Sequence, residues 1–194
     1  MIRAAIFDFD GTLVDSMPLH YEAYRRVLAE EGIELPRATF FAAVGGTAGE
    51  VIPRLIGDQP CTVAHEELHR RKKAALAALL DEAPVPVLGT AVLLEVLAGT
   101  HRLALASSGS RPGITTMLDR LGWSDVFEVI VTGEDVDHGK PAPDPFLLAA
   151  DKLGVPPAEC VAFEDTDDGV ASATAAGMLV LDVRTSLARS EQTA

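Results

Sequence analysis

Basic charge is scarce in this chain of 194 residues. Sixteen Lys and Arg face 29 Asp and Glu, a net charge of −13. A surface of that sign repels phosphate backbones and anionic lipid, which argues against nucleic acid and membrane as partners. It leaves room for a small phosphorylated substrate, because local lysines and a metal set the potential inside a site. Aromatic residues are also few, 5% of the chain, while hydrophobic residues make up 48%. That balance excludes disorder and suits a close-packed aliphatic α/β protein. Cys61 and Cys160 stand far apart, with no CxxC pair and no zinc-ligand spacing. They read as reduced structural thiols of a cytoplasmic protein. No apolar stretch is long enough to span a bilayer. The N-terminus runs into acidic residues too early for a signal peptide.

Against these absences stands one dense feature, Ile6-Phe7-Asp8-Phe9-Asp10-Gly11-Thr12-Leu13-Val14. In a strand, residues i and i+2 point to the same side, so Asp8 and Asp10 aim two carboxylates at one spot. Like charges that close need a cation, and a hard divalent metal held by oxygens is the simplest one, with Mg2+ the default. One carboxylate is then free to attack and the other to move protons. The pattern points to an enzyme.

The rhythm of the chain predicts where that site lies. Ala4 to Phe9 reads as a buried parallel strand. Helices are expected at Leu19 to Glu31, Thr47 to Ile56 and Thr62 to Leu80, with no convincing strand between Met17 and Glu82. After Pro84 and Pro86 the pattern alternates: helix Thr90 to Leu97, strand Arg102 to Ala106, helix Pro112 to Leu121, strand Val126 to Val131. Helix Pro145 to Leu153, strand Cys160 to Phe163, helix Asp168 to Ala176 and strand Leu179 to Asp182 complete it. The expected fold is an α/β, Rossmann-like, three-layer parallel sheet built from residues 1–16 and 84–194. Residues 17–83 form an inserted all-α helical cap, a lid hinged at Asp15-Ser16 and Pro84-Pro86. Ligands in such sheets bind at the carboxyl ends of strands. Polar residues stand at each of the four ends examined: Asp8 and Asp10, Ser107-Ser108-Gly109-Ser110, the loop holding Lys140, and Glu164-Asp165. Singly these have bland readings as caps and solvated loops, but their joint placement points to one site.

These residues resemble the motifs of the haloacid dehalogenase-like hydrolase superfamily, in its branch with a small helical cap. The nucleophile motif matches at Asp8 to Val14, the hydroxyl motif at Ser107-Ser108, the lysine motif at Lys140 and the acidic motif at Phe163 to Gly169. The stretch from Gly133 to Arg184 is most similar to sugar-phosphate phosphatases and the β-phosphoglucomutase-like subgroup. The resemblance implies Asp8 as nucleophile, forming an aspartyl-phosphate, and Asp10 as general acid and base. Mg2+ is implied at Asp8, the Asp10 carbonyl and Asp165, with Glu164 nearby or through water. Ser107 and Lys140 are implied as holders of phosphoryl oxygens, with Ser108 and Gly109 in the same loop. The resemblance also implies that Gly11 lets the backbone approach the phosphoryl group and that Thr12 helps fix that loop.

Many relatives carry a second acidic residue four positions after the first, which here is Gly169. This chain has Glu164 immediately before Asp165 instead, which leaves Asp167 and Asp168 as groups one layer behind the metal or on the surface, the surface reading being preferred. In the cap, Gly45-Gly46-Thr47 resembles the loop that faces the core site, so Thr47 is a substrate-contact candidate. His20 resembles the histidine that helps place the acid-base aspartate, or else is an exposed helical histidine. Lys72 is the preferred cap cation among Arg71, Lys72 and Lys73, whose other reading is a solvated helix face. The phosphoglucomutase grips a second phosphate with a cation where this chain has Ala48, or Gly49 if the register slips, which weakens a mutase reading. The expectation is a Mg2+-dependent phosphatase of a small phosphorylated metabolite, a sugar phosphate, acting as a monomer or weak homodimer. A phosphomutase and a non-catalytic phosphate-binding module are the alternatives.

Overall fold

The computed structural model describes residues 1–43, 48–82 and 84–184. The chain divides into two compact units, one from Met1–Asp15 and Pro86 onward, the other Ser16–Val85.

The first unit is a five-stranded parallel sheet. Its strands are β1 (Ala4–Phe7), β2 (Arg102–Ala106), β3 (Val129–Val131), β4 (Cys160–Glu164) and β5 (Leu179–Asp182), in the order β3-β2-β1-β4-β5. Parallel neighbours need crossovers, supplied by α5 (Val92–Leu97), α6 (Arg111–Leu121), α7 (Asp144–Leu153) and α8 (Asp167–Ala175). Strands are added outward from β1 to β3, then from β4 to β5 on its other side. The order therefore reverses beside β1, and such a switch point opens a crevice at the strand carboxyl ends.

Both sheet faces are covered, which is why β1 reads as an unbroken apolar run and is fully buried. On one face Ala4, Ile6, Ala104, Ala106 and Ala162 meet Phe146, Ala149, Ala150 and Leu153 of α7. The small residues on the strands let that helix approach closely. On the other face Phe7 stacks on Phe163 at 4.5 Å between centroids and meets the edge of Phe127 at 6.5 Å. Phe127 explains one departure from expectation. The predicted strand Val126 to Val131 forms only from Val129, because Val126 closes a turn onto the Trp123 carbonyl and Phe127 is buried. Met117 and Met178 are both buried.

The second unit is helical, with α1 (Met17–Glu30), α2 (Arg37–Ala43), α3 (Ala48–Ile56) and α4 (His65–Glu82). Among the described residues, four helices stand where the sequence predicts three. The added one, α2, is seven residues long, too short for its periodicity to register, and starts just after Pro36. It buries Phe40 against Tyr21 and Tyr24, at 5.5 and 6.2 Å between centroids. Ala23, Tyr24, Val27 and Leu28 form the buried stripe of α1, and Leu68, Lys72, Leu76, Leu79 and Leu80 that of α4. Arg71 ties the two helices by pairing with Glu67 and Glu31.

Phe7→Ala should cost about 3–5 kcal/mol, since it removes a fully buried ring between two others. Denaturant unfolding measures this; a cost below about 1 kcal/mol would contradict the packing described.

Candidate active site

Sheet register brings the polar residues together. Phe7 pairs with Leu105 on one side and Phe163 on the other, so the next step along β1 sets Asp8 beside Glu164. The backbone N–H of Asp8 still donates to the Phe163 carbonyl at 3.0 Å, which holds the nucleophile candidate in the ladder. The chain then turns sharply. Gly11 has φ of +93°, the left-handed region that favours glycine, and its N–H donates to the Val14 carbonyl at 2.8 Å.

Lys140 reaches this point from the loop after β3. Its Nζ donates to Asp8 Oδ1 at 2.6 Å and to Glu164 Oε1 at 2.5 Å. The Lys140 side chain is 4% exposed and that of Glu164 1%. Glu164 is also anchored by its other oxygen, which accepts from the N–H groups of Asp165 and Thr166 and from the Thr166 hydroxyl. Asp165 accepts from the Thr12 hydroxyl at 2.9 Å. A side chain on Gly11 would collide with the Asp165 carboxylate, so this glycine makes room for Asp165. The Thr90 hydroxyl donates to the Thr12 carbonyl and steadies the same turn.

One oxygen from each of Asp8, Glu164 and Asp165 lies within 4.8 Å of the others. Three carboxylates thus face a single ammonium. Burial pushes the Asp8 carboxyl well above its ordinary range; Lys140 pulls it down, and Glu164 and Asp165 push it further up. Burial, partly opposed by the Thr12 hydrogen bond, raises Asp165 to about 6. For Lys140, burial favours the neutral amine, but the charges of Asp8 and Glu164 outweigh it and hold the ammonium well above its usual range. A buried acidic excess with all-oxygen donors fits a hard divalent cation.

The other predicted residues fall as follows. Asp10 is half-buried at the turn after β1. Ser107 is buried at the end of β2, and its Oγ accepts from the Gly109 N–H at 3.0 Å. Ser108 and Gly109 continue that loop, braced by the Gly133 N–H donating to the Gly109 carbonyl. Thr47, with Gly45 and Gly46, lies outside the described residues. Lys72 does not lie on a solvated helix face. It is buried in the helical unit, with Nζ 2.9 Å from His20 Nδ1 and 5.0 Å from the Tyr24 ring centroid. An ammonium can only donate, so His20 Nδ1 is the acceptor.

Several supporting residues escape sequence reasoning. Asp135 accepts from the Thr132 N–H, the Thr132 hydroxyl and Arg111, linking the β3 loop to the start of α6. Ser172, fully buried on α8, donates to the Ala142 carbonyl and pins the Lys140 loop. Nothing in a single Ser or Asp marks such a role before its partner is known.

A family model for haloacid dehalogenase-like hydrolases matches residues 2–177. The chain belongs to the haloacid dehalogenase-like hydrolase family. It is 35% identical over 182 residues to fructose-1-phosphate phosphatase YqaB of Escherichia coli, covering 92% of this chain and 95% of that protein. It is also 35% identical over 182 residues to the phosphorylated carbohydrates phosphatase of Thermotoga maritima, covering 91% and 82%. The structure of CbbY from Rhodobacter sphaeroides in complex with phosphate matches with a TM-score of 0.85 at 31% identity, covering 93% of this chain and 85% of that one. Within the family this chain is a phosphoric monoester hydrolase. No described helix is long and apolar enough to cross a membrane.

A cation held by Asp165 would bind in a pH-dependent way, because this carboxyl is raised and a protonated acid cannot act as a ligand. Apparent Mg2+ affinity should fall about tenfold or more between pH 7 and pH 5, as Asp165 takes up a proton through about 6. Titration calorimetry at the two pH values checks this; equal affinities would contradict it.

Proposed function

We propose that this enzyme hydrolyses a small sugar phosphate through an aspartyl-phosphate on Asp8, with Mg2+ as its metal. The observation that carries the reading is the buried ammonium of Lys140 within 2.6 Å of Asp8, in a carboxylate cluster at the switch point of the sheet. Asp8, the Asp10 carbonyl and Asp165 would hold Mg2+, with Glu164 alongside. When bound, the ion offsets the negative charge that keeps an anionic nucleophile from an anionic phosphoryl group.

The chain's own residues do the rest. An Asp8 carboxylate oxygen attacks phosphorus, and the bond from phosphorus to the sugar oxygen breaks. Asp10, carrying a proton, gives it to that leaving oxygen. A water then attacks the aspartyl-phosphate and loses its proton to Asp10; the bond from Asp8 to phosphorus breaks and orthophosphate leaves. Lys140 and Ser107, with the Ser108 N–H, donate to the phosphoryl oxygens as charge shifts onto them, while the Gly109 N–H holds Ser107 Oγ. Thr12 and Gly11 keep Asp165 in place. The helical unit acts as a cap that selects the substrate, with Thr47, His20 and Lys72 as its candidate contacts.

The names of the relatives supply the substrate class: one acts on fructose 1-phosphate, another on phosphorylated carbohydrates. The net charge of −13 supports a reading without nucleic acid or membrane as partner, and we propose that the protein acts in the cytoplasm as a monomer or weak homodimer.

A panel of sugar phosphates and phosphoglycolate, assayed for released orthophosphate, tests the substrate class. Phosphate release without isomerised sugar phosphate is expected; isomerisation without release would favour a phosphomutase. Asp8→Asn should abolish turnover and leave the fold intact. Asp10→Asn should slow it by roughly 10²–10⁴-fold, the usual worth of a general acid–base. Near-wild-type turnover in the first, or a loss of only a few fold in the second, would contradict these roles.

A further inference from the structure

Gly169 sits in the first turn of α8, where its N–H donates to the side chain of the N-cap residue Thr166 at 3.0 Å. Glycine is a poor helix former, and alanine would hold this backbone better. Its φ is not among the positive ones, so the backbone itself does not require glycine. The side-chain surroundings do. A Cβ on Gly169 would overlap the Cδ and both carboxylate oxygens of Glu164, well inside the 3.0 Å that real Cβ atoms respect.

Glu164 is not free to swing aside. Its Oε1 accepts from Lys140 at 2.5 Å, and its Oε2 from Asp165 N–H at 2.8 Å, Thr166 N–H at 2.9 Å and the Thr166 hydroxyl at 3.0 Å. Displacing it strips these bonds from a buried carboxylate and leaves Lys140 without one of its two carboxylate partners. We infer that Gly169 is a positioning residue. Its missing side chain is the chamber in which Glu164 stands, and Glu164 standing there aims the Lys140 ammonium at Asp8. The effect on turnover rests on the phosphatase reading; the packing relation does not.

Four proteins test this: wild type, Gly169→Ala, Glu164→Ala and the double variant. Each is unfolded by heat without added metal, then assayed with Mg2+ on an aryl phosphate. The chamber predicts a reversal of sign. In the wild-type background Gly169→Ala should lower Tm by roughly 5 °C or more. In the Glu164→Ala background, where the chamber is empty, the same change should raise Tm by about 2–4 °C, because alanine is the better helix former. A double variant that folds where Gly169→Ala alone does not supports the same conclusion. Gly169→Ala should also lose about 100-fold in kcat/KM, the cost of misplacing a catalytic group by an ångström, and should change Glu164→Ala by less than about threefold. Tm shifts of equal size and sign in both backgrounds would overturn the chamber. Undiminished turnover in Gly169→Ala would overturn the positioning role. A wild type that hydrolyses no phosphate ester, with the reversal intact, would fault the phosphatase reading and not the chamber.

Discussion

A buried ammonium is costly unless its charge is matched, and Lys140 is matched from two sides, by Asp8 and by Glu164. Each partner comes from a different strand, and Lys140 itself comes from a loop after a third. The contact therefore closes only when β1, β3 and β4 have found their places in the sheet. Much of the surrounding structure serves that closure. The Phe7–Phe163 stack locks β1 to β4, Ser172 pins the loop that carries Lys140, and Thr166 secures the far oxygen of Glu164. Fold and site are two descriptions of one constraint.

The same contact explains how so acidic a protein can receive a phosphate ester. The net charge of −13 repels anions at long range. Inside the site the local inventory decides, and it remains short of positive charge: three carboxylates to one ammonium. Burial is the main cause that raises the carboxyls of Asp8 and Asp165, and the neighbouring carboxylates add to it. A divalent cation held by these carboxylates would relieve the shortage and would turn a repulsive pocket into one that accepts an anionic group.

Much of this could be read from residue order. Asp8 and Asp10 follow a run that had to be a buried strand, and each later strand ends in polar residues, which a parallel sheet gathers at one edge. Lys140 was legible because its neighbours Gly139 and Pro141 to Asp144 mark a known motif. What stayed hidden depends on partners distant in sequence. The β3 run looked longer than it is because Phe127 is apolar for a different reason, its contact with Phe7. Helix α2 was too short to declare itself. Lys72 is the preferred cap cation over Arg71 and Lys73, but the sequence does not show that the helical turn carries it inward beside Leu68 and Leu76. Gly169 looked like the absence of an acid. Only Glu164 opposite shows that the absence has a use.

The most direct test of the account is to locate the phosphoryl group during turnover. The wild-type enzyme would be mixed with its best sugar phosphate and rapidly quenched during turnover, and the chain mapped by mass spectrometry after reductive trapping of acyl phosphates. The account predicts modification at Asp8 alone, lost in Asp8→Asn. Modification at another residue, or turnover with no covalent species at Asp8, would contradict it.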